Sequence, residues 1–107
     1  MLFKFKSKAA GDVIMLEPSG RRMLQIIGKD PQPKGIILPE QMPAAVAALE
    51  AAIVREEAEQ KAMVQEAKAR GEAPPHFEAI SLRQRAVPLI DMLRRCEKAG
   101  HEIVWGV

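Results

Sequence analysis

The chain opens on a strict alternation. In "LFKFK", Leu2 to Lys6, the aromatics Phe3 and Phe5 fall on one parity and Lys4 and Lys6 on the other. A period of two predicts a half-buried strand near residues 2–7 with its lysines facing water. "KAAGD" then supplies a glycine-containing turn of hairpin length. "DVIML", Asp12 to Leu16, is apolar on both parities, which predicts a second, more central strand at 12–16.

The period changes after Leu16. Pro18 suits a first helical position, Met23, Leu24, Ile26 and Ile27 form an apolar stripe, and Gly28 is placed to stop it, so a helix is expected near 18–28. "KDPQPKG" has two prolines and a glycine in seven residues and reads as loop, near 29–35. Ile36 to Leu38 can add a short extended segment, because a residue before proline is pushed out of the α region. A long helix follows near 40–70. Met42, Val46, Leu49 and Ile53 recur at spacings of four, three and four, and the stripe then fades into "REEAEQK". Unbroken to Arg70, such a helix reaches about 40 Å, too long for a compact domain of this size. Its second half is expected to project, bend or pack on another copy of the chain. A loop at 71–80 contains "EAPPHFE".

The stretch "SLRQRAVPLIDMLRRCEKAG" predicts a third helix near 81–99, with Leu82, Ala86, Leu89, Leu93 and Cys96 as its buried stripe. Ser81 and Gln84 fit a capping box, and Gly100 closes the other end. Pro88 interrupts the stripe. An interior proline costs about 3 kcal/mol in a regular helix. The expectation is therefore two segments meeting at Pro88, in preference to one kinked helix. "HEIVWGV" alternates again and predicts a terminal strand near 102–106 able to pair with an N-terminal one. The sum is an α+β domain spanning 1–107: about three helices packed on a small sheet made from an N-terminal hairpin and a C-terminal strand.

Composition narrows the functional classes. The chain has 107 residues, 48% hydrophobic and 28% charged, as globular domains do. No apolar run approaches the roughly 18–20 residues needed to cross a bilayer, and the lysine-studded N-terminus lacks the apolar core of a signal peptide. One cysteine cannot make an intramolecular disulfide, so a reducing cytoplasm is the expected compartment. The net charge is +2, split as +4 over residues 1–35, −4 over 36–80 and +2 over 81–107. An acidic middle between basic ends points to internal charge complementarity or self-association more than to a nucleic-acid stripe.

Candidate chemistry is sparse. Arg83, Arg85, Arg94 and Arg95 could grip phosphates or carboxylates, and a basic pocket would form where Arg83 and Arg85 meet Arg21 and Arg22. The plainer reading pairs this set with the acidic middle helix. Cys96, with His101 as base and Asp91 as orienting group, is a possible nucleophile, but Cys96 falls on an apolar stripe where a thiol acts as a small hydrophobe. Glu56 and Glu59 sit in a solvated run without the apolar neighbours that shift a carboxyl pKa. His76 and His101 have no metal-ligand spacing, and Gly20, Gly28 and Gly35 make no phosphate-binding fingerprint. No cofactor is implied.

"MLFKFKSKAAGDVIMLEPSGRRMLQIIG", "GIILPEQMPAA" and "LRQRAVPLIDMLRRCEKAGHEIVWG" together resemble a family of small uncharacterised bacterial proteins, catalogued only as a domain of unknown function. The resemblance covers nearly the whole chain and is loosest over Arg55–Pro75. It implies a single cytoplasmic domain and brings no activity with it, so no catalytic residue is carried over. The expected function is a non-catalytic interaction module that self-associates through the long helix or an apolar edge near Trp105. The alternative is an anion or nucleic-acid binder using Lys4, Lys6, Lys8 and the arginines. Nucleic acid is the less favoured partner, because four aromatics give no stacking platform.

Overall fold

The structure, a computed structural model, describes residues 2–77 and 81–106. The end of the loop expected at 71–80 therefore lies outside the described residues. In chain order the elements are β1 (Leu2–Lys6), β2 (Val13–Leu16), α1 (Glu17–Ile26), β3 (Gly35–Ile37), α2 (Met42–Ala69), α3 (Leu82–Ala99) and β4 (Ile103–Trp105). The class is α+β, with an antiparallel sheet in the order β2-β1-β4-β3.

All the described helices lie on one face of this sheet, and the parity of each strand decides which side chains meet them. Phe5 sits opposite both Val13 and Trp105, while Gly35 and Ile37 face Trp105 and Ile103. Phe5, Ile37, Ile103 and Trp105 join Met23, Leu24, Met42, Leu49, Leu89, Leu93 and Cys96 in one core, with Val13 packed against it. Gly35 is required by the fit: a Cβ there would collide with the Trp105 indole. The indole N–H donates to the Gln32 carbonyl at 2.9 Å, so the one tryptophan is buried and satisfied. The apolar edge expected near Trp105 is absent. β4 is an internal strand, and its apolar parity points into the core.

β2 departs from expectation in the opposite sense. It is an edge strand rather than a central one. Its doubled apolar pattern leaves Ile14 and Leu16 on the outer face, 53% and 63% exposed, with Leu2 beside Leu16 in the register at 62%. The fourth strand, β3, comes from the segment just before Pro39, and Gly35 belongs to it rather than to the preceding loop. Pro39–Gln41 form a 3-10 turn in which the Leu38 N–H donates to Gln41 Oε1 at 3.0 Å, and Pro43 sits in the first turn of α2, where no helix bond is lost.

α3 is one helix running through Pro88, not two segments. Ser81 caps it: its Oγ accepts from the Gln84 N–H at 3.2 Å, and Gln84 Oε1 accepts from the Ser81 N–H at 2.9 Å. Proline removes the hydrogen bond to the Gln84 carbonyl, but Gln84 and Pro88 both lie on the water-facing side. A carbonyl on the solvent side is free to bond water, while the buried stripe from Leu82 to Cys96 holds the helix against the core.

α2 has 28 residues, about 42 Å at 1.5 Å per residue. Its first half packs on α1 and α3 through Met42, Ala45, Val46, Leu49 and Ile53. Beyond Ile53 the inward positions are only half-buried, apart from Ala67. Ala67 lies beside Glu72, Ala73 and Pro75, where the chain doubles back along the helix after the left-handed turn at Gly71. The molecule is accordingly elongated, 52 × 28 × 22 Å, with a radius of gyration of 15.9 Å. A compact chain of this length would have roughly 13 Å.

Candidate functional site

The sequence nominated Arg21, Arg22, Arg83 and Arg85, and three of them reach one junction. There the middle of α2 meets α1 and the N-terminus of α3. Glu56 is its centre. Oε1 accepts from Arg22 Nη2 of α1 at 3.0 Å, and Oε2 accepts from the Leu82 N–H of α3 at 3.0 Å. One carboxylate thus bridges two helices, and it lies at the positive end of α3, where negative charge is favoured. Burying Leu82 and Ile53 beside it brings the two helices close enough for that reach.

Glu57, one residue on, takes Arg83 in a two-pronged pair, with Nε and Nη2 each 2.8 Å from a carboxylate oxygen. The hydrogen bonds from Arg83 and its charge hold the Glu57 carboxyl below its ordinary range, and Arg83 is correspondingly held more firmly protonated. Arg85 donates from Nη1 to the hydroxyl of buried Ser19. Arg21 stands apart, paired to Glu17 one turn back at 3.0 Å. Farther along, Arg94 meets Glu50 at 3.3 Å. The basic C-terminal third and the acidic middle of the chain are therefore joined inside the fold. An anion entering the junction would compete with Glu56 and Glu57 for the same guanidinium groups.

The nucleophile set does not assemble. Cys96 is fully buried with a free thiol. Asp91 is exposed five residues earlier on the same helix, a spacing that places the two side chains on different faces. His101 is exposed, and the contact it makes to Cys96 is through its backbone N–H, 3.0 Å from the Cys96 carbonyl. Among the described residues no three His, Cys, Asp or Glu side chains are grouped to hold a metal ion. Nor is any described helix long and apolar enough to cross a membrane.

Sequence reasoning missed the outer face of the sheet. Leu2, Ile14, Leu16 and Ile36 are exposed there around Lys4 and Lys6, with no described element over them. At the end of this face lies a cleft of about 500 Å³, between Leu2–Lys4 and the Pro31–Pro33 loop. The signal was present in the doubled apolar parity of "VIML", which a buried strand and an uncovered sheet face share.

Compared with known families, the chain matches the model of the Domain of unknown function (DUF1840) over residues 1–105. The chain belongs to the DUF1840 family. No curated protein and no solved structure matches it. Membership in DUF1840 supplies no activity or ligand, so function has to be argued from the surfaces just described.

Proposed function

We propose that this DUF1840 chain is a non-catalytic interaction module that self-associates through α2, in a reducing cytoplasm. The observation that carries the reading is the overhang: α2 outruns the body that supports it. Its first half is buried against α1 and α3, whereas its second half rests on its own returning chain. The outward side of the helix bears Ala44, Ala47, Ala51, Ala58, Ala62 and Ala69 on one face, with Val54 beside them 64% exposed. Small side chains let a second helix approach closely along that length. Two copies laid antiparallel and centred between residues 60 and 61 set Arg55 opposite Glu66 of the second copy on both sides of the two-fold axis. Opposite charges at such positions favour the pairing and fix its register. The lone Cys96, reduced and buried, supports the compartment.

Sedimentation velocity at micromolar concentrations tests this. The wild-type chain is expected to sediment as a dimer, and Ala62→Arg as a monomer with an unchanged far-UV circular dichroism spectrum, because Ala62 is exposed. A wild-type chain that stays monomeric throughout would contradict the reading. The alternative reading, an anion held by Arg22, Arg83 and Arg85, rests on Arg22 and Arg83 meeting at the adjacent Glu56 and Glu57, with Arg85 reaching Ser19 of α1. It requires inorganic phosphate to shift the Arg83 side-chain resonances in a salt-sensitive titration.

A further inference from the structure

The outer face of the sheet is a surface that the α2 reading does not use. An antiparallel sheet with helices on one side ordinarily turns polar residues to water on the other. Here that face is mixed. In the register Leu2 stands beside Leu16 and Lys4 beside Ile14, while Lys6 and Ile36 flank Val104. Leu2, Ile14, Leu16 and Ile36 are exposed. Two aliphatic corners are thus set on either side of Lys4 and Lys6, which stand on the internal strand β1. Carried one step further, the β1–β4 register sets Gly106 beside Lys4, and glycine puts no side chain over the ammonium. Lys34 continues the outward parity of β3, and Lys8 lines the same hollow as Lys6.

These lysines differ from the arginines of the helix junction. Arg22, Arg83 and Arg94 are each paired with a glutamate of α2. Among the described residues, Lys4, Lys6, Lys8 and Lys34 have no ion-pair partner. Asp12 and Glu102 offset part of their charge at the Lys6–Lys8 end, and Glu17 beside Leu16 is taken by Arg21. The acidic helix α2 lies in the layer behind the sheet, so the molecule turns a basic, aliphatic face one way and acid the other.

The residue types select the occupant. Contacts between proteins centre on aromatics and arginine and are depleted in lysine. Phe3, Phe5 and Trp105 all pack inward, and the middle of the outer face is lysine. A second copy of this face would set lysines against lysines. At a bilayer surface, by contrast, a lysine stem lies along apolar material while its ammonium reaches the phosphates. Exposed aliphatics beside it enter the boundary between headgroups and acyl chains, and anionic headgroups attract each basic residue.

We propose that the outer face of the sheet docks the protein on an anionic lipid surface, with Leu2, Ile14, Leu16 and Ile36 entering the headgroup boundary and Lys4 and Lys6 meeting lipid phosphates. Attachment of this kind needs no spanning helix.

The test is co-sedimentation of the full chain with vesicles of phosphatidylcholine, either alone or carrying about 30% phosphatidylserine. The expected outcome is pelleting with the anionic vesicles and not with the neutral ones, weakening as salt is raised. Lys4→Gln and Lys6→Gln should each lower the partition about fivefold, the weight of one basic residue at such a surface. Leu2→Gln combined with Leu16→Gln should lower it about tenfold by removing aliphatic insertion. Lys61→Gln combined with Lys68→Gln, both exposed on α2, should leave it unchanged. None of the substituted side chains is buried, so the variants fold, and far-UV circular dichroism verifies that. Absence of pelleting, equal pelleting with neutral vesicles, or pelleting that survives the sheet substitutions would overturn the proposal. So would capture of a soluble acidic amphipathic peptide in preference to vesicles, which would assign the face to a partner protein. Amide shifts at Leu2, Ile14 and Leu16 on raising the concentration of the chain alone would also overturn it, by assigning the face to a second copy. None of these outcomes bears on whether α2 pairs.

Discussion

The two halves of α2 differ in composition and in surroundings: Met42–Ile53 carries one charged residue in twelve, Val54–Ala69 seven in sixteen. From Met42 to Ile53 the helix is fixed by side chains that are almost completely buried against α1, α3 and the sheet. From Glu59 to Ala69 it is held by its own backbone bonds, an exposed Arg70–Glu66 pair and the chain returning along one side. Short helices are marginal in water without packing. The difference teaches that helix continuity beyond the junction comes from propensity, since alanine, glutamate and lysine dominate the second half, while stability comes from the first half and the contacts of Glu56 and Glu57. Glu56 and Glu57 mark the boundary, where ionic contacts take over from the core.

The sharpest way to break the contrast is at Leu49, fully buried in the packed half. Leu49→Ala should destabilise the chain by about 2–5 kcal/mol, lowering Tm by on the order of 10 °C or more, as read by calorimetry. A loss as small as that of an exposed alanine-row substitution would deny that the first half carries the fold. At the boundary, Glu56→Ala should cost about 1–2 kcal/mol, because it strips the partner from Arg22 and leaves the Leu82 N–H without its acceptor. Chemical denaturation of Glu56→Ala beside Glu56→Gln tells these apart, since the amide restores an acceptor but not the charge.

A smaller effect belongs to the Glu57–Arg83 pair, which is exposed on both sides. Its folded carboxyl value lies below the ordinary 4.5. The stabilisation is therefore fully present above that ordinary value and is lost as pH falls through the lower folded value. Between pH 5 and 8 the pair should contribute no pH dependence, and Glu57→Gln should flatten part of the acid limb of the stability curve. Added salt should shrink even that contribution, as it does for surface pairs. Smallest of all, Ala62→Arg should leave the stability of a single copy unchanged within about 0.5 kcal/mol, the usual range for an exposed site.

Much of this was legible in the chain because it depends on period and on local chemistry. The strands at Phe3–Phe5 and Ile103–Trp105, the three helices, the Ser81–Gln84 cap and the burial of Cys96 all follow from spacing over a few residues. The pairing of arginines with the acidic helix was legible as charge segregation, although not as the particular partners Arg22–Glu56 and Arg83–Glu57, which depend on how helices cross. Pro88 misled because its cost depends on which side of the helix faces water, and that is a tertiary property. "VIML" misled for the same reason: two apolar parities describe a strand with both faces covered or one left open. The notch at Gly35 for Trp105, and the left-handed turn at Gly106, carry no sequence signal beyond the glycine itself.

The most direct test of the central claim is hydrogen exchange along α2 as the concentration of the chain is raised. The account predicts that amides of the Met42–Ile53 half exchange slowly at every concentration. Amides from Glu57 to Ala69 should exchange through local opening when dilute and gain protection as copies pair. Distal protection equal to the proximal half in dilute solution, and unchanged on concentration, would contradict it.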